Sequence, residues 1–233
     1  MQKNEMAFGR IPAYCKYELF MERYRSAAEI IRGQLKLSKT TKFLDIGAGE
    51  GYMKYFFDAG EGKWFGVECW KERILKCKSL GYQIADIDIN TTPLPYPDGN
   101  FDVVIASHVI EHLSNIDFCL KEMDRVLKKG GILLIATPTK PPLIAELINL
   151  LHKLQPKDLG ETQNAFSVLS LKSFIAKRLS NYTLIDSRGF RIVSARKRLK
   201  LENLHSFYKI STFLGKYLTF LVPEVNNIYK KTA

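Results

Sequence analysis

Lys42-Phe43-Leu44-Asp45-Ile46-Gly47-Ala48-Gly49-Glu50-Gly51, residues 42–51, decides how this chain is read. Lys42 to Ile46 run as a short apolar strand, and three glycines then alternate with other residues. Tyr52, Met53, Tyr55, Phe56 and Phe57 follow at a spacing that predicts a helix. Strand, glycine turn and helix in that order form the first unit of an open α/β sheet. Gly47, Gly49 and Gly51 can take backbone angles closed to other residues and carry no Cβ, so a ligand can lie against bare peptide groups at the turn. By itself the run fits a tight structural turn almost as well.

Spacing and charge separate two classes of ligand. A dinucleotide fingerprint needs G-x-G-x-x-G, whereas this turn is G-x-G-x-G. Asp45 leads it, and a carboxylate beside a ligand suits one that carries an ammonium and a sulfonium better than one that carries phosphates. Further blocks follow at regular intervals. Lys63 to Glu68 is a second short strand ending in a carboxylate, and Glu68, as a pure acceptor, can take both hydroxyls of a ribose. Tyr82 to Asp88 is a third block, with Asp86 directly after its apolar strand and Asp88 two residues on. The loop from Thr91 to Asn100 holds three prolines and reads as a rigid connection. Phe101 to Ser107 reads as a buried parallel strand, and His108, Glu111 and His112 come just after its end. Phe118, Leu120, Met123, Val126 and Leu127 repeat at helical spacing, with Lys128-Lys129 in the last turn and Gly130-Gly131 ending the helix. Ile132 to Pro138 is a continuous apolar strand.

The Asp-x-Gly-x-Gly-x-Gly turn, Phe101-Asp102-Val103-Val104, Glu111-His112-Leu113 and Arg125-Val126-Leu127-Lys128-Lys129-Gly130-Gly131 resemble the motifs of the class I S-adenosylmethionine (SAM) dependent methyltransferases. The resemblance spans Thr41 to Thr137 strongly, and Lys129 stands where that family has proline. It implies a Rossmann-like, seven-stranded, mostly parallel sheet flanked by helices, with an elaborated C-terminal region over the substrate. It divides residues 1–233, as one domain, into a SAM-binding core over 41–137 and a cover over 138–233. It implies SAM as cofactor, held by Asp45, Gly47, Ala48, Gly49, Gly51, Glu68, Asp86, Ile87 and Ser107. In that family an Asp at the end of the third strand meets the adenine; Asp86 and Asp88 both fit, and Asp86 is preferred because it directly follows the apolar strand, with Ile87 placed to cover the ring. Methyl transfer would follow by in-line displacement, with His112 as first candidate for a general base and His108 as second. A structural histidine is nearly as good a reading of either. Some relatives bind a metal through an E-x-x-E-H arrangement; here His108 takes its first position, so His108, Glu111 and His112 could in principle hold one, but the same spacing fits metal-free relatives and no metal is expected.

The bulk properties set outer bounds. The chain has 233 residues, 46% of them hydrophobic, enough for a sizeable core. No apolar run follows Met1, and no stretch approaches the length of a membrane span, so a cytoplasmic protein is expected. Cys15, Cys69, Cys77 and Cys119 lack C-x-x-C spacing, which fits free thiols better than structural zinc.

Net charge is +11, and residues 151–233 hold 15 Lys and Arg against 5 Asp and Glu. The densest part is Arg188-Gly189-Phe190-Arg191 with Arg196-Lys197-Arg198-Leu199-Lys200. This end reads as a solvated face, a contact for a phosphorylated acceptor or membrane, or a nucleic-acid surface. Phe207, Ile210, Phe213, Leu214, Tyr217, Leu218 and Leu221 form an apolar helical stripe beside Lys209 and Lys216, which fits packing or peripheral membrane contact. The expected acceptor is a small molecule or sugar, such as a nucleotide-sugar or surface-polysaccharide precursor. RNA is disfavoured, because Ser107-His108-Val109-Ile110 stands where an Asn-Pro-Pro-Tyr type motif would be. A non-catalytic SAM-binding scaffold is the third reading.

Helices are expected over Tyr17 to Leu35, Leu143 to Leu154 and Ser170 to Leu179, and a sixth strand over Thr183 to Ser187. A seventh strand is expected at Val225 to Lys231 in preference to Phe190 to Ala195.

Overall fold

The computed structural model describes residues 19–58, 60–154, 161–189, 192, 204–218 and 222–232. Seven strands form one sheet: β1 Lys42–Ile46, β2 Lys63–Glu68, β3 Gln83–Asp86, β4 Phe101–Ser107, β5 Leu127–Pro138, β6 Tyr182–Gly189 and β7 Glu224–Lys231. Their order is β3-β2-β1-β4-β5-β7-β6. Strands β1 to β5 pair in parallel, and β7 runs antiparallel between β5 and β6. The helices are α1 Leu19–Gln34, α2 Lys71–Ser79, α3 Ile116–Val126, α4 Pro142–Leu154, α5 Val168–Arg178 and α6 His205–Tyr217. The seventh strand is thus the C-terminal one. Of the alternative hairpin Phe190 to Ala195, all but Ile192 lies outside the described residues, as do Arg191, Arg196 to Lys200 and Leu221.

Alternation along the strands builds a core on each face of the sheet. Phe43, Trp64, Val103, Ile105, Ile132, Leu134 and Ile228 point to the side covered by Ala27, Ala28 and Ile31 of α1. Leu44, Ile46, Val104, Leu133 and Ile135 point to the other, where Leu120 and Met123 of α3 and Leu171 and Ile175 of α5 pack. Because the strand order reverses beside β1, a crevice opens beyond the carboxyl ends of β1 and β4.

Two local expectations are corrected. No α-helix follows the glycine turn; Tyr52–Phe56 is a single 3₁₀ turn. Aromatic residues are weak helix formers, and Met53 and Phe57 are anchored by tertiary packing, with the Phe57 ring 4.9 Å from Phe43 and 5.2 Å from Trp64. The glycines therefore present a loop, not the pole of a long helix. Gly130-Gly131 do not end α3 either. The helix stops at Val126, and Lys128 to Gly131 form an irregularity in β5, where the register with β4 shifts between Phe101 and Val103. Gly130 sits at φ 75°, and a Cβ on Gly131 would stand 3.0 Å from the Asp102 carbonyl oxygen. Asp102 works at this end of the sheet, away from the crevice. Its carboxylate accepts from the Lys42 amide at 2.8 Å and pairs with Lys128 Nζ at 2.6 Å.

Candidate active site

The three glycines of the opening turn, all at positive φ, have three different surroundings. A Cβ on Gly47 would meet Val109 Cγ2 at 2.7 Å, so bare backbone lets the two loops close on each other. On Gly51 it would strike Leu80 Cδ1 at 2.9 Å, on the side away from the crevice. On Gly49 it would meet nothing nearer than the Gly47 carbonyl oxygen at 3.8 Å, because that position faces a cleft.

The cleft has a volume of about 500 Å³ and lies across the ends of β1, β2 and β4. Among the residues singled out in the sequence, Gly47, Ala48, Gly49, Glu68, Ile87, Ser107, His108 and His112 line it; Asp45, Gly51 and Asp86 do not. The β1 alternation turns the Asp45 side chain into the layer of Trp64 and Tyr82, where its carboxylate accepts from the Tyr82 hydroxyl at 3.2 Å. Burial pushes its pKa up to about 7, with the neighbouring Glu68 charge adding to the effect. Asp86 ends β3 exposed. Past it the chain turns and brings Ile87, Asp88, Ile89 and Asn90 to the cleft. Asp88, and not the preferred Asp86, is thus the acid of this segment that lines the cleft. Asp88 Oδ1 accepts from both the amide and the side chain of Asn90, at 2.9 and 3.0 Å, which fixes its orientation.

Glu68 holds the glycine loop in place. One oxygen accepts from the Gly49 amide at 2.9 Å and the other from the amides of Cys69 and Trp70, at 2.9 and 3.1 Å. A carboxylate has roughly four lone-pair sites, so acceptor capacity is left on the cleft side.

At the β4 end the chain reverses through His108, which is held at φ 58°, the one non-glycine residue at positive φ among those described. His108 Nδ1 lies 3.4 Å from Glu111 Oε1, and its Nε2 lies 3.8 Å from Glu224 Oε2. Glu111 is buried, takes a hydrogen bond from Thr137 Oγ1 at 3.0 Å, and faces His112 Nε2 at 3.8 Å. Burial holds the Glu111 carboxyl above its ordinary range. His112 is half-buried, and its Nδ1 finds no hydrogen-bond partner among the described residues. The two histidines thus share one buried carboxylate at the edge of the cleft.

Local motifs do not reveal Arg23 and Tyr24 of α1, which also line the cleft, or Glu224 of β7. Arg23 Nη2 stands 3.2 Å from both Glu224 oxygens. Trp70 and Arg73, just after β2, complete the wall beside Glu68.

The lining fits SAM. It mixes two arginines with Glu50, Glu68 and Asp88, so it is not the strongly cationic surface that a pyrophosphate calls for. Ile87, Ile89, Val109 and Leu113 supply apolar surface for a ring, and Gly49 leaves the space that a Cβ would fill.

This fold and this cleft are similar to those of the class I SAM-dependent methyltransferases. Residues 44–135 match the family described as Methyltransferase domain. The chain is 28% identical over 143 residues to an uncharacterized methyltransferase of Bacillus subtilis, covering 56% of each. It is 32% identical over 119 residues to a ubiquinone biosynthesis O-methyltransferase of Pelagibacter ubique, covering 47% of each. The chain spans about half the length of these curated relatives. The crystal structure of the Bacillus protein YcgJ superposes with a TM-score of 0.62 over 91% of this chain and 99% of that one; at 17% identity this likeness concerns the fold.

Proposed function

We propose that this chain transfers a methyl group from SAM to a small acceptor bearing a hydroxyl or protonated amine, a phosphorylated or nucleotide-linked sugar being the class that best fits. One observation carries the reading: His108, Glu111 and His112 converge at the β4 end of a cleft whose other walls are the glycine loop, Glu68 and Asp88. SAM, when bound, supplies a methyl carbon already activated by its sulfonium. The backbone of Gly47 to Gly49 would hold its amino-acid part, Glu68 the ribose hydroxyls, and Ile87 with Asp88 the adenine. What remains for the chain is to orient the acceptor, exclude water and accept a proton.

His112 is the group for that last task. It reaches the cleft, and the buried Glu111 carboxylate 3.8 Å from Nε2 would stabilise the imidazolium formed when the ring takes the acceptor's proton. His108 is bracketed by Glu111 and Glu224 and held in strained backbone, which fits a residue that shapes the pocket. The excess of cations in residues 151–233 supports a phosphorylated acceptor.

The test begins with calorimetric titration of SAM and S-adenosylhomocysteine, followed by transfer of labelled methyl to a panel of nucleotide-sugars, sugar phosphates and lipid phosphates. Binding of both nucleosides and labelling of a phosphorylated sugar are expected. His112→Ala should leave SAM affinity intact and lower turnover about a hundredfold. Absence of SAM binding in folded protein would overturn the reading, and an unchanged rate for His112→Ala would return that histidine to a structural role.

A further inference from the structure

α4 is packed inside out. Two of its polar residues face the protein: Asn149 donates to the Ala165 carbonyl at 2.8 Å and accepts from the Ala165 amide at 2.7 Å, and His152 Nδ1 lies 3.0 Å from the Gln163 carbonyl oxygen. The opposite face shows Leu143, Ile144, Leu147, Leu150 and Leu151, between 48% and 81% exposed. These positions recur at the spacing of one helix face. A surface helix of a water-soluble core normally turns its leucines inward, so this stripe is built to be covered.

From this geometry we propose that α4 is an interfacial helix that docks the protein on an anionic lipid surface. Three observations select lipid as the occupant. Lys140 precedes the helix and Lys153 lies in its last turn, both exposed, so the aliphatic stripe has cations at its two ends. The chain carries a net charge of +11, which draws it to an anionic bilayer and sets a second copy of itself against it. A second exposed apolar group, Ile210, Phe213 and Tyr217 on α6, is likewise interleaved with exposed Lys209 and Lys216. Among the described residues no helix is long and apolar enough to cross a membrane.

The helix is wired to the cleft. The loop that receives Asn149 and His152 also donates from the Gln163 and Asn164 amides to the Glu111 carbonyl, at 2.7 and 2.9 Å, and from Asn164 Nδ2 to the Leu113 carbonyl at 2.7 Å. Docking α4 therefore places the His112 end of the cleft near the lipid surface, where an acceptor with a lipid tail would be presented. This last step rests on the methyl-transfer reading; docking itself does not.

Co-sedimentation of the full chain with vesicles of equal parts phosphatidylcholine and phosphatidylglycerol, and with phosphatidylcholine alone, tests the proposal. Wild type should pellet with the anionic vesicles and be released by high salt. The variant Leu147→Glu/Leu150→Glu, folded by circular dichroism, should show partitioning lower by ~tenfold or more. Absence of binding to anionic vesicles, or equal binding by the variant, would overturn docking. A vesicle-free dimer abolished by the same substitutions would overturn it in favour of a second copy. SAM titration of the same samples separates the two readings: vesicle binding without SAM binding leaves docking standing and removes methyl transfer.

Discussion

Gly49 and Gly51 share a backbone conformation, at φ 56° and 71°, yet they do different work. A side chain on Gly49 projects into the cleft, and one on Gly51 into Leu80 and Tyr82. Gly49→Val should therefore abolish SAM binding by calorimetry at a cost in stability of about 1–2 kcal/mol from the left-handed backbone. Gly51→Val should carry an added cost from the clash, visible as a lower urea midpoint. Equal SAM affinity for Gly49→Val and wild type would remove the cofactor from this loop. Asp45 offers a test by pH. Its folded pKa, about 7, lies above the ordinary 3.8, so the folded state keeps a proton that the unfolded chain releases. Its contribution is fully present below about pH 4 and is lost as pH rises through about 7. Asp45→Asn should flatten that slope and stabilise the protein above neutrality, by on the order of 3 kcal/mol. Chemical denaturation across that range would show it, and a slope unchanged by the substitution would place the titration elsewhere. The acidic residue at the head of the motif was legible from sequence, but its direction was not, because that depends on which face the β1 pleat presents.

At the scale of elements, the parallel strands were the most legible part. The central ones, β1, β4 and β5, are buried on both faces and read as nearly unbroken apolar runs, and the ends expected near Ile46, Glu68, Asp86 and Ser107 are the ends observed. Tyr52 to Phe57 misled because aromatic residues at helical spacing also suit a compact turn pinned by two buried side chains. Gly130-Gly131 misled because a glycine pair after a periodic run is a normal helix end, whereas here it serves a change of strand register. Arg125, close to that junction, shows how elements are tied together. Its guanidinium donates to the Leu94 and Tyr96 carbonyls at 2.9 and 2.8 Å, to Asp98 at 2.8 Å, and to both oxygens of Glu122 at 2.8 and 2.7 Å. Glu122 in turn accepts from the Leu94 amide at 2.7 Å, so the proline-rich loop is clamped on α3. Arg125→Ala should cost about 2–3 kcal/mol in urea unfolding. Arg125→Lys should recover less than half, because an ammonium cannot reproduce a planar fork. Full stability of the lysine variant would reduce the clamp to simple charge pairing.

Across the whole molecule, the site is closed by segments that flank the motif-bearing stretch on either side. Arg23 comes from α1, Glu224 from the first residue of β7, and His108 from the loop between them in sequence. Arg23 and Glu224 are 201 residues apart, so no local pattern could announce the pair; it exists because β7 returns to pair with β5, inside the edge strand β6. A second tie, Asn226 Nδ2 to the Arg23 carbonyl at 2.9 Å, holds the same two elements together. The Arg23–Glu224 pair is buried, and removing one member of a buried pair costs more than replacing both, since it strips a desolvated charge of its partner. Arg23→Ala should accordingly destabilise the protein by ~3 kcal/mol, while Arg23→Met/Glu224→Gln should recover most of that loss. Because Glu224 also faces His108, the single variant should weaken SAM affinity through a displaced His108 loop, and the double variant should restore folding more fully than binding. Urea unfolding and SAM titration of both variants would separate these effects. If each variant lost stability and affinity in the same proportion, the pair would be a clasp for the fold with no part in shaping the cleft.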